Sequence, residues 1–186
     1  MIAHRIAYLV SQGSCEPDRL LAVTFTNKAA EEMRTRVETL LGVDCRGMWI
    51  STFHALCARL LRREAPHIGL SRDFVIYDST DQLTVMKQAL RQIGAEESAV
   101  QPRLALSRIS HAKNRMEGPE VFTANSWHPR DAQIGKLYEL YAKALRDANA
   151  LDFDDLLLKT VELFEKTDVV QERYSKKLYD KPTARC

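Results

Sequence analysis

Apolar residues recur at helical spacing from the start of the chain: Ile2, Ile6, Leu9 and Val10 fall on one face of residues 2–10. The continuous apolar run Leu20–Phe25 then predicts a strand buried on both faces. Asn27 is placed to cap a following helix with Met33, Val37, Leu40 and Leu41 inward and Gly42 at its end. Met48–Phe53 predicts a second strand leading straight into a helix that Pro66 stops, and Phe74–Tyr77 predicts a third strand. Helix and strand alternating in this way predict an α/β fold with parallel strands.

Beyond Tyr77 the pattern becomes helical. Ser79 and Gln82 are the expected capping box of a helix with Leu83, Met86, Leu90 and Ile93 inward. A helix is expected over 103–115, and another carries Ile134, Leu137, Tyr138, Tyr141 and Leu145. A last one, over about 154–164, groups Leu157, Val161 and Phe164. The expected organisation is an α/β part over 1–78, a helical part over 79–148 and a return segment over 149–186.

Composition narrows the function classes. The 186 residues carry 27 basic and 25 acidic side chains, a net charge of +2, so a uniform electrostatic hold on nucleic acid is not implied. A local basic face is still possible. Cys15, Cys45, Cys57 and Cys186 include no CxxC pair and no zinc spacing, and read as reduced thiols of a cytoplasmic protein. The His4–Arg5 pair interrupts the apolar opening, which reads as an amphipathic helix rather than a secretory signal. No run approaches the ~20 apolar residues that span a bilayer, so no membrane partner is expected.

Gly42 and Gly47 have the spacing of a phosphate loop, but Met48 and Trp49 follow where lysine and a hydroxyl residue are needed. No apolar strand ends in Asp-Glu, so the usual magnesium carboxylate is missing too. The informative stretches are two strand-to-helix turns. In the first, Thr24, Phe25, Thr26, Asn27 and Lys28 place donors and one aromatic at a helix start, where free N–H groups attract anions and a base could stack. In the second, Ser51, Thr52, Phe53 and His54 repeat the geometry. On spacing alone each is more often a plain capped turn, with Phe25 in the core and His54 as a cap. Two in tandem favour a shared edge at the carboxyl ends of the strands, where open α/β sheets bind ligands. The cluster Asp152, Asp154, Asp155 is open to a magnesium reading, but capping and the helix dipole account for it more simply.

AVTFTNKAAEEM (22–33), STFHALCARLLR (51–62) and LDFDDLL (151–157) resemble, in order and spacing, motifs of the UvrD/PcrA/Rep-type superfamily 1 DNA helicases. DFVIYDSTDQ and LSRISHAKN are also similar, and the resemblance covers about residues 1–179. It implies part of a RecA-like P-loop NTPase motor domain with a mainly α-helical insertion subdomain. It implies that Phe25, Thr26, Asn27, Lys28, Thr52, Phe53 and His54 line a path for single-stranded DNA. The insertion's Arg108, His111, Lys113 and Arg115 could then touch phosphates, although a solvated helix face is the favoured account of such a charge run.

The chain departs from the family at both ends. The phosphate loop ending in Gly-Lys-Thr would precede the first helix, and the Asp-Glu strand would follow QERYSKKL, where Tyr179–Cys186 reads YDKPTARC. Pro182 does not suit a central strand. The expectation is therefore a fragment of an ATP-dependent 3′–5′ DNA helicase without catalytic or cofactor-binding residues of its own, ATP and Mg2+ belonging to the full-length family. The alternative is a non-enzymatic module that binds single-stranded nucleic acid or another partner. Loss of central strands also predicts self-association through exposed sheet edges.

Overall fold

The computed structural model of the protein describes residues 2–94, 100–126 and 128–178. Cys186 and the tail from Tyr179, with Pro182, lie outside the described residues. The chain divides into two compact units, Met1–Ile68 with Glu162–Cys186, and Gly69–Val161.

The first unit is built on α1 (Ile2–Ser11), β1 (Leu21–Thr24), α2 (Asn27–Leu41), β2 (Trp49–Thr52) and α3 (Phe53–Glu64). β1 and β2 pair in parallel, with Leu21 opposite Trp49 and Thr24 opposite Thr52. Ala3, Ile6, Leu20, Val37, Cys45, Met48 and Ile50 form the core. On α1 the expected face packs at Ile6 and Val10, joined by Ala3 and Ala7, whereas Ile2 at its start is exposed. Leu40 of α2 is exposed too, because Ala30, Met33, Val37 and Leu41 define the face that packs. Thr26, not Asn27, caps α2. It sits at φ −122°, ψ 147°, and its hydroxyl accepts from the Ala29 N–H at 3.1 Å. An N-cap oxygen must come from the last extended residue, and Asn27 is already helical. Gly42 closes the helix at φ 66°, a conformation that costs glycine little.

The second unit contains β3 (Val75–Ile76), α4 (Ser79–Gln92), α5 (Pro102–Lys113), α6 (Pro119–Ala124), α7 (Pro129–Asp147) and β4 (Ala150–Leu151). α8 (Phe153–Lys166) runs from this unit into the first, where α9 (Asp168–Leu178) follows. The expected third strand does not join β1 and β2. It pairs in parallel with β4, a strand the apolar pattern did not announce, through Val75 N–H to Asn149 O and Tyr77 N–H to Leu151 O, both 2.9 Å. Asn149 makes the turn from α7 into β4 at φ 47°, a left-handed conformation that asparagine tolerates. The capping box of α4 is Asp78 with Asp81 rather than Ser79 with Gln82. The core of the unit joins Met86, Leu90, Ile109, Ile134, Leu137, Tyr138, Tyr141 and Leu145. On α8 the buried positions are Asp155, Leu156, Thr160 and Leu163, the last three one row away from the expected Leu157, Val161 and Phe164, and Val161 is exposed. α6 and α9 were not anticipated.

Candidate nucleic-acid interface

Parallel strands in register finish at the same level, so the helices that follow them start side by side. The Thr24–Thr52 pairing therefore places Phe25 next to Phe53, with ring centroids 5.6 Å apart and planes at 46°. Phe25 is 90% exposed and Phe53 40%. The reading of Phe25 as a core residue is thus overturned: it is an aromatic surface held out beyond the strand end.

Around this pair the hydroxyls organise the turns. Thr24 donates to the Thr26 carbonyl at 3.0 Å, and Thr26 caps α2. Thr52 is buried, and its hydroxyl accepts from the Ala55 N–H at 3.3 Å, capping α3. His54 therefore does not cap the helix and stands exposed in its first turn. Asn27 and Lys28 are exposed in the first turn of α2, with Lys28 3.9 Å from Glu32 in a solvated pair. Neither helix has an acidic residue in its first turn. Both positive dipole ends, with their first N–H groups unclaimed by the helical ladder, thus meet solvent beside the two rings. All seven residues singled out from the sequence fall on this one edge of the first unit. The arrangement can stack a flat ring and attract an anion together.

The basic residues of α5 and its C-terminal end behave otherwise. Arg108 pairs with Asp131 at 2.7 Å, and Arg115 grips Glu117 through two hydrogen bonds of 2.8 and 3.1 Å. Lys113, read as part of a solvated face that could at most touch phosphates, is instead buried, with its ammonium 2.7 Å from both Asp152 and Asp155. The Tyr141 hydroxyl donates to Asp152 at 2.9 Å. Asp152 and Asp155 also cap reciprocally: the Asp155 N–H donates to Asp152 at 2.8 Å, and the Asp152 N–H to Asp155 at 3.2 Å. Capping is thus the observed role of these carboxylates, and the ammonium takes the place a metal ion would need. Burial raises the Asp155 carboxyl above its ordinary range, against the lowering pull of Lys113. Burial and the Asp152 charge raise the Tyr141 hydroxyl and keep it a donor. No local pattern marks Lys113 as the partner of Asp152, 39 positions away.

The loop from Gly42 to Gly47 does not suit a nucleotide triphosphate. Asp44 and Arg46 pair with each other, Glu38 accepts from the Cys45 N–H at 3.2 Å, and the following Met48 and Trp49 are buried. Among the described residues no cluster of three or more His, Cys, Asp or Glu side chains could hold a metal ion. The Gly42–Gly47 loop therefore does not fit ATP with magnesium. No helix among the described residues is long and apolar enough to cross a membrane.

Comparison with known proteins gives a consistent result. The family model described as UvrD/REP helicase N-terminal domain matches residues 1–179. The ATP-dependent DNA helicase PcrA of Bacillus subtilis (strain 168) is 42% identical over 177 residues, which are 95% of this chain and 24% of that protein. PcrA of Staphylococcus epidermidis (strain ATCC 12228 / FDA PCI 1200) is 41% identical over 179 residues, and that of Staphylococcus aureus (strain NCTC 8325 / PS 47) 40% over 177, with the same coverage. The chain spans about a quarter of the length of these curated relatives.

Proposed function

Because the chain belongs to the UvrD/REP helicase N-terminal domain family, we propose that it supplies the single-stranded DNA contacts of the first, RecA-like motor domain of an ATP-dependent 3′–5′ DNA helicase, the second unit being its helical insertion. The relatives are named ATP-dependent DNA helicases, and ATP and Mg2+ belong to that whole activity rather than to the residues described. The observation that carries the reading is the Phe25–Phe53 pair, set by strand register between two helix starts free of acidic residues. Phe25 and Phe53 stack bases, Thr26 and Thr52 fix the turns, and Asn27, Lys28 and His54 meet the backbone.

Titration of the 186-residue chain into a fluorescent oligothymidylate tests the reading. A stacked base is worth about 1–3 kcal/mol, so Phe25→Ala is expected to weaken binding roughly tenfold with the melting temperature unchanged. Wild-type affinity in both Phe25→Ala and Phe53→Ala would refute it.

A further inference from the structure

The far edge of β2 carries a second basic feature that the sequence motifs do not include. The Trp49 N–H donates to Leu20 O, so the peptide groups of Trp49 face β1 and those of Ile50 face away from it. On that edge, which pairs with no strand among the described residues, Arg34, reaching from α2, donates through Nη2 to the Ile50 carbonyl at 2.7 Å. Arg59 of α3 lies over the buried Trp49 ring at 4.3 Å from its centroid. At that distance the guanidinium is within cation–π reach of the ring, and a guanidinium carries five N–H donors, more than one ring contact uses. With Arg46, Met48, Ser51, Ala55 and Leu56, these residues line a pocket of about 340 Å3.

The lining holds three guanidiniums and one hydroxyl, and no carboxylate. Glu31 and Asp44 balance Arg34 and Arg46 from outside it, whereas Arg59 has no carboxylate partner among the described residues. Guanidinium forks match the geometry of phosphate oxygens. Position completes the argument. Across the sheet the order is β1 with Phe25, β2 with Phe53, then this pocket, which begins at Ser51 and Ala55 beside the second turn.

We propose that Arg34, Arg46 and Arg59 form a phosphate subsite that holds the backbone of a single strand after it has crossed the Phe25–Phe53 pair. The proposal rests on the single-stranded DNA reading above, which it extends by several nucleotides on the β2 side.

The test compares oligothymidylates of about five and about sixteen nucleotides, within the range of single-strand site sizes, by anisotropy over a salt series with the full chain. Arg59→Gln is expected to weaken the longer strand about tenfold and to lower its log–log salt slope by about 0.7. It should leave the shorter strand within about twofold, while Phe25→Ala weakens both. Arg46→Gln, at a side chain 90% exposed and so safe for folding, should act in the same direction. Wild-type affinity and slope for the longer strand in both arginine variants, with Phe25→Ala still impaired, would overturn the subsite and leave the aromatic site standing. Equal loss on both strands in Arg59→Gln, or displacement of the longer strand by polyglutamate as readily as by oligothymidylate, would overturn it too. Failure of the wild-type chain to bind either strand would overturn both readings.

Discussion

Replacing Lys113 by methionine keeps the volume of its stem and removes its charge. The ammonium sits 2.7 Å from Asp152 and 2.7 Å from Asp155, and the three side chains are 4, 4 and 12% exposed. Such a pair adds little net stability relative to apolar residues, but removal of one partner strands the others and costs about 3–5 kcal/mol. The value here should fall at the upper end, because two carboxylates are left facing each other with only Tyr141 donating to Asp152. The sign of the pH dependence follows from Asp155, whose carboxyl burial already raises and Lys113 restrains. Without Lys113 it rises further. Between the ordinary carboxylate value and the raised one, the folded chain holds a proton that the unfolded chain has released, so stability falls as pH rises. The deficit of Lys113→Met is thus expected to be small near about pH 4 and full by about pH 7. Urea titrations followed by circular dichroism across that range measure it, and Lys113→Met/Asp155→Asn should recover about half of the loss. A deficit under about 1 kcal/mol at neutral pH, or one independent of pH, would refute the reasoning.

Glu64 makes the opposite case in the first unit. Burial opposes its ionisation, but hydrogen bonds of 2.9 Å from Tyr174 and Arg173 outweigh that and hold its carboxyl below the ordinary range. Its contribution is therefore present above the ordinary carboxylate value and lost as pH falls toward the lowered one. Glu64→Gln should cost about 1.5–3 kcal/mol at neutral pH and flatten the acid limb of a stability–pH curve; an unchanged limb would count against the assignment. Gly135 of α7 faces α6 so closely that a Cβ there would lie 2.4 Å from the Thr123 hydroxyl, itself buried without a partner. Gly135→Ala should lower stability by about 1–3 kcal/mol, and Thr123→Ala in the same chain should restore most of it in thermal melts; no restoration would place the strain elsewhere.

The sequence by itself determined what is local. Helical periodicity located α2, α4 and α7 and most of their buried rows, because residues three and four apart share a face wherever the helix packs. Two apolar runs located β1 and β2, although β1 has an exposed Leu21 and three half-buried residues rather than burial on both faces, and the short turns after them located the starts of α2 and α3. The seven candidate residues could therefore be assigned to two adjacent strand-to-helix turns, and their contact with DNA is what the titration above tests. The errors of one position, at the caps of α2 and α4 and on the face of α8, arise because a local pattern defines a stripe but not its centre, which packing chooses.

The tertiary structure alone decided pairings between distant segments. Lys113 lies on a polar helix and reads as solvated, yet topology brings it to the Asp152–Asp155 cap and buries it. β4 is too short to show in an apolar pattern, and β3 took it as partner. Phe25 has the composition of a core residue, and only the register of β1 on β2 sets it in solvent beside Phe53. In each case the deciding contact joins residues far apart in sequence. Its energy depends on which elements the fold makes neighbours, and no local periodicity encodes that.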